Sequence, residues 1–249
     1  MSMPNTSLSS AYEAASSLVQ PSAKKPYSHM ARRCEELLHG IEVADADVLE
    51  VGTGNGFLAH YLATYRNVRH VVALDEYEGH GSARGNHDMN LAMQKHLNNS
   101  DVVDVVRCNF NTYTSDHRFS HVFFVNVLHH MVPSSEPGTS DEATRILRHA
   151  SGMMKQGGTI IIQETSPINL CPIPKYREEM RNVSFKDKLE SSQWRAALMA
   201  AGFDHIQLRY RLPLNLPWNP FLRRCFNSYV ASLLTDSSYV LQACAASRT

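Results

Sequence analysis

The chain has 249 residues, 43% apolar and 19% charged, which fits one globular domain with a substantial core. Basic and acidic residues balance at 24 each, so no bulk charge points to nucleic acid. The five cysteines (Cys34, Cys108, Cys171, Cys225 and Cys244) include no C-x-x-C pair, and no apolar run reaches the roughly 18 residues of a membrane span. The first residues lack a basic stretch and a long apolar core, so no signal peptide is expected. Reduced thiols, a cytoplasmic location and neither a membrane nor a nucleic-acid partner follow as expectations.

Residues 1–25, rich in Ser, Ala and Pro, are expected to be flexible, with the domain proper at 26–249. From 27 to 40, Met30, Cys34, Leu37 and Leu38 recur at helical spacing and Gly40 closes the helix. Residues 46–52 (ADVLEVG) read as a buried strand, 57–65 as a helix and 70–75 as a second strand. A helix over 83–97 turns Leu91, Met93 and Leu97 inward. Strands follow at 101–108 and 119–128, then a helix over 141–154 with Ile146, Leu147, Met153 and Met154 inward. Gly157 and Gly158 turn the chain into a fifth strand at 159–164. A helix over 191–203, closed by Gly202, precedes strands at 204–212 and 238–245. Strands alternating with helices predict an α/β fold with a doubly wound, mostly parallel sheet. Residues 165–190 and 213–236 exceed a minimal sheet and read as lid-like insertions; sheet-edge cover or a homodimer contact is the competing reading.

The chemistry concentrates at 48–59 (VLEVGTGNGFLA) and 71–76 (VVALDE). Gly52 and Gly54 allow a sharp turn and let backbone amides approach a ligand. Asp75 lies 23 residues after Gly52, one helix and one strand further on, where an acid takes a ribose diol. The dinucleotide fingerprint G-x-G-x-x-G is broken, because Phe57 stands where its third glycine belongs. Glu50, just before the turn, repels a phosphate and attracts an ammonium.

Glu50, the GTGNG turn and the acid-terminated second strand together resemble the class I S-adenosylmethionine-dependent methyltransferases, over residues 45–210. The resemblance implies a seven-stranded Rossmann-like sheet whose last strand inserts antiparallel between the fifth and sixth. It implies S-adenosylmethionine as cofactor and a small-molecule methyl acceptor. The backbone of Gly52, Thr53, Gly54, Asn55 and Gly56 then meets the amino acid end. Glu50 acts on the ammonium through water, or else caps a neighbouring amide. Asp75 takes the ribose hydroxyls, or else caps a helix, with Glu76 as a weaker neighbour. After the third strand the family's acid is replaced by Asn109, whose amide suits the adenine amino group, and Phe110 suits the ring face. Asn126, ending the fourth strand, matches a position whose backbone lines the cofactor.

Residues 126–131 (NVLHHM) resemble a V-L-H segment of small-molecule O-methyltransferases. His129 is the candidate general base and His130 the alternate; a purely structural role in the loop competes. Glu164, ending the fifth strand, is the candidate to orient the acceptor. Tyr27 and His29 from the N-terminal helix, and Trp218 and Phe221 from the late insertion, are candidates to line the acceptor; core packing competes for the aromatics. His87 and Asp88 diverge on a helix, so no metal is expected. The N/D-P-P-Y/F signature of amino-group methylation on bases is absent. O-methylation of a small molecule is the leading expectation. N- or C-methylation, or a non-methylating nucleoside-cofactor protein such as an NAD-dependent oxidoreductase, are the alternatives.

Overall fold

Seven strands form one sheet in a computed structural model that describes residues 7–20, 24–78, 83–132, 138–170, 172, 188–211, 221, 225, 227–234 and 237–246. The strands are β1 (Asp47–Val51), β2 (His70–Asp75), β3 (Val103–Arg107), β4 (Phe119–Val125), β5 (Met154–Thr165), β6 (Phe203–Tyr210) and β7 (Ser238–Ala245). Their order is β3-β2-β1-β4-β5-β7-β6. β2 pairs parallel with β1 and β3, while β7 runs antiparallel to both β5 and β6. The last strand therefore lies between the fifth and sixth, as the resemblance implied. By its contacts the chain divides into two compact units, Met1–Phe123 and Phe124–Thr249.

In the first unit every residue of β1 is buried, as is the Val71–Leu74 run of β2, the pattern of parallel strands covered on both faces. Helix α1 (Leu8–Ala15) falls in the segment expected to be flexible. Its Leu8, Ala11, Tyr12 and Ala15 are buried, an i, i+3, i+4, i+7 stripe that the Ser/Ala composition conceals. The Ser7 hydroxyl caps it by accepting the Ser10 amide at 3.2 Å. Helix α2 (Tyr27–Leu38) ends ahead of Gly40, which takes φ +74°. Helix α3 (Phe57–Tyr65) presents Phe57 to both preceding helices, with ring centroids 5.0 Å from Tyr12 and 5.7 Å from Tyr27. Helix α4 (Asn86–Leu97) buries Met89, Asn90 and Met93. Leu91, expected inside, is exposed, and the polar Asn90 takes a core position instead.

In the second unit, β4 ends sooner than its apolar run suggests. Asn126 adopts φ +53°, which stops the strand and leads into the short helix α5 (Leu128–Met131). Helix α6 (Thr139–Gly152) buries Ile146 and Leu147. β5 begins at Met154, ahead of the glycine pair, and its register on β7 runs from Thr159↔Cys244 to Thr165↔Ser238. Helix α7 (Ser191–Ala200) starts with a capping box between Glu190 and Gln193 and buries Trp194. A short helix α8 (Tyr229–Leu233) precedes β7. Most of both insertions, with Trp218, lies outside the described residues.

Candidate functional site

The glycine turn after β1 is held by backbone and carboxylate together. Gly52, Gly54 and Gly56 all have positive φ, +72°, +55° and +78°, which explains three glycines in five residues. The amides of Gly52 and Thr53 both donate to the Leu74 carbonyl, at 2.8 and 3.1 Å, and this ties the turn to β2. Asp75 reaches across: its Oδ2 accepts the Gly54 amide at 2.8 Å and its Oδ1 accepts the Tyr77 amide at 2.6 Å. A Cβ on Gly56 would stand 2.1 Å from Asn90 Oδ1, so Gly56 is required by packing as well as by φ.

Glu50 is 3% exposed, and its Oε2 accepts the Thr53 hydroxyl at 2.8 Å. Burial pushes its carboxyl up to about 8; the bonds from Thr53 and the Ala59 backbone pull the other way, and the nearby Asp75 charge adds to the rise. A buried acid held in this way favours a cationic neighbour. The carboxylates and amides gathered at the turn suit a positively charged ligand with a diol, and suit a pyrophosphate poorly. On that donor chemistry the residues fit S-adenosylmethionine.

Behind the turn runs a buried polar chain that sequence reasoning missed. His60 Nε2 lies 2.9 Å from Asn90 Oδ1, and Asn90 Nδ2 donates to the Tyr77 hydroxyl at 2.9 Å. Asn99 Nδ2 sits 3.2 Å from His60 Nδ1, so His60 carries its proton on Nε2 and donates to Asn90. Burial depresses the His60 pKa, which keeps the ring neutral. The legible signal was two polar residues, His60 and Asn90, at core-facing helical positions.

At the end of β3, Asn109 has both ends of its amide engaged: Nδ2 donates to Glu76 Oε2 at 2.7 Å and Oδ1 accepts the Asn111 amide at 2.9 Å. Phe110 is buried beside it. Tyr27 belongs to the aromatic cluster with Tyr12 and Phe57, and its hydroxyl lies 3.1 Å from that of Tyr65. His29 follows within the first turn of α2, its amide bonded to the Pro26 carbonyl at 3.0 Å.

The second unit brings together two residues expected to act separately. His129 Nδ1 lies 2.9 Å from Glu164 Oε2, and Glu164 is 1% exposed. The His129 amide adds a 3.4 Å bond to Glu164 Oε1. The buried Lys188 places Nζ 3.8 Å from Oε2 of the same carboxylate. Glu164 thus orients His129. The His130 ring lies 4.0 Å from the His129 ring, centroid to centroid. The Asn126 amide donates to the Gln163 carbonyl at 2.8 Å, fixing the chain just before α5. Phe221, a candidate to line the acceptor, is 71% exposed. Among the described residues no three or more of His, Cys, Asp and Glu cluster as metal ligands, and no helix is long and apolar enough to cross a membrane.

Residues 49–162, which run from within β1 through the glycine turn and β2 into β5, match the methyltransferase domain family. The chain carries a methyltransferase domain over these residues, on a Rossmann-like fold shared with S-adenosylmethionine-dependent methyltransferases. Solved structures share the fold. A SAM dependent methyltransferase from Aquifex aeolicus is similar at 15% identity and TM-score 0.59, with 94% of this chain and 98% of that one covered. The pyocyanin biosynthetic protein PhzM is similar at 14% identity and TM-score 0.57, covering 86% of this chain. An O-methyltransferase family protein from Burkholderia thailandensis follows at 15% identity and TM-score 0.56, covering 88% of this chain. The chain spans only about half of those last two proteins, 54% and 56%. No curated protein matches its sequence.

Proposed function

We propose that the protein is a class I S-adenosylmethionine-dependent methyltransferase that methylates a hydroxyl of a small-molecule acceptor, with His129 as the general base. The observation that carries the reading is the 2.9 Å contact from His129 Nδ1 to the buried carboxylate of Glu164. With its proton on Nδ1 and shared with Glu164, His129 offers Nε2 as a proton acceptor. S-adenosylmethionine supplies an electrophilic methyl: as the acceptor oxygen forms its C–O bond the S–CH3 bond breaks, leaving the neutral thioether S-adenosylhomocysteine. His129 Nε2 takes the hydroxyl proton, and Glu164 holds the ring and stabilises the imidazolium that results. Asp75 binds the ribose diol and the Gly52–Gly56 backbone binds the amino acid end. Glu50 faces the ammonium, and Phe110 packs against the base. The four described cysteines, Cys34, Cys108, Cys225 and Cys244, are free thiols, which supports a cytoplasmic setting.

The test is S-adenosylhomocysteine release from a panel of hydroxyl and amine acceptors, by wild type and His129→Gln. Turnover with hydroxyl acceptors is expected to fall about 100-fold or more in the variant, with calorimetric binding of S-adenosylmethionine unchanged. Wild-type turnover in His129→Gln would remove His129 from the reaction.

A further inference from the structure

The second unit holds a buried cation that the reaction above does not use. Arg211 directly follows β6, and its amide donates to the Ser238 carbonyl at 3.1 Å, extending the β6–β7 ladder by one rung. The residue is 4% exposed, and its Nε and Nη2 are buried with no hydrogen-bond partner among the described residues. A guanidinium desolvated to this degree is destabilising unless an anion meets it. Gln163, 1% exposed, leaves a second donor, Nε2, buried and unpaired among the described residues. The register sets both on one face of the sheet: Gln163 pairs with Val240, which pairs with Arg209, and Arg211 lies two residues further along the same face.

These donors stand near the proposed base. Glu164 pairs with Tyr239, which pairs with Tyr210, the residue before Arg211. Two strand spacings of about 4.8 Å put the Glu164 and Arg211 backbones roughly 10 Å apart. Alternation directs Glu164 and Arg211 to opposite sides of the sheet plane. A ligand touching both therefore lies over the ends of β5 and β6, the place where open α/β sheets hold their ligands.

We propose that Arg211 binds a carboxylate of the methyl acceptor, which makes the acceptor a compact hydroxy acid. The planar guanidinium pairs with a carboxylate through two parallel N–H bonds, and its Nε and Nη2 are the edge that makes such a fork. The acceptor's hydroxyl then reaches His129 while its acid end fills the donors left open at Arg211. This rests on the O-methylation reading above.

The test uses the full chain and matched pairs of probes: 4-hydroxybenzoate with 4-hydroxybenzamide, 3-hydroxybenzoate with 3-hydroxybenzamide, and salicylate with salicylamide. Binding is read by saturation-transfer NMR, and S-adenosylhomocysteine release is read separately. At least one acid is expected to bind about tenfold or more tightly than its amide. Arg211→Gln is expected to abolish that preference, and Arg211→Lys to keep part of it, which separates a lost anion site from a damaged fold. Wild type without an acid preference, including binding to none of the acids, overturns the proposal; so does a folded Arg211→Gln that retains the preference. Acid-selective binding lost in Arg211→Gln, with no S-adenosylhomocysteine released from any probe, would leave the anion site standing and sink O-methylation instead.

Discussion

At the level of single residues, the glycines with positive φ separate into kinds that sequence cannot distinguish. Gly56 and Gly138 both have φ near +80°, but a Cβ on Gly56 meets Asn90 at 2.1 Å and one on Gly138 meets nothing within 4 Å. Gly138→Ala is expected to cost about 1 kcal/mol, the left-handed penalty alone. Gly56→Ala adds a buried clash and is expected to cost about 3 kcal/mol in urea denaturation; equal costs would contradict the packing role given to Asn90. Glu50 makes a prediction in pH. Its folded-state pKa of about 8 is above its ordinary value of 4.5, so its carboxyl holds a proton longer in the folded chain. The associated stability is complete below pH 4.5 and is lost as pH rises through about 8. In the absence of cofactor, Glu50→Gln is expected to flatten this decline, on the order of 1 kcal/mol per pH unit. A pH–stability curve unchanged by Glu50→Gln would show that Glu50 is ionised in the folded state.

Secondary-structure elements were legible where periodicity and punctuation agree. The strand at 70–75, the helix at 57–65 and the strand at 238–245 have the bounds that their apolar runs predict. Misreadings occur where tertiary contact overrides composition. The N-terminal segment looks loose because Ser and Ala dominate it, yet α1 buries a stripe against α3 and α4. Gly85, with φ +88°, admits the Leu18 carbonyl to within 1.9 Å of where its Cβ would be, so the chain after α1 is also seated on the start of α4. Removing residues 1–20 uncovers Phe57 and empties the space at Gly85. Unfolding in urea is expected to lose about 3 kcal/mol or more, as for a lost buried aromatic contact; unchanged stability would show that the segment is dispensable. The apolar run of β4 likewise overran, because only the backbone shows Asn126 turning to φ +53°.

For the molecule as a whole, the glycine turn and its flanking carboxylates were legible in the sequence, and the contacts around His129 and Arg211 largely were not. Glu50, the GTGNG turn and Asp75 are near one another along the chain, each tied to a strand end, so spacing reports their proximity. The His129–Glu164 contact joins residues 35 apart in sequence, and the unpaired donors of Arg211 become visible only through burial and strand register. His60, Asn90 and Tyr77 were missed for the same reason: their hydrogen bonds link two helices to the segment after β2. What spacing did report converges on one carboxylate, Asp75, which ties the glycine turn to the end of β2 and is assigned the ribose. Isothermal titration of S-adenosylmethionine into wild type and Asp75→Ala tests that assignment directly. Wild type is expected to bind, and Asp75→Ala to bind at least about tenfold more weakly; a wild type that does not bind, or an Asp75→Ala that binds equally well, would contradict it.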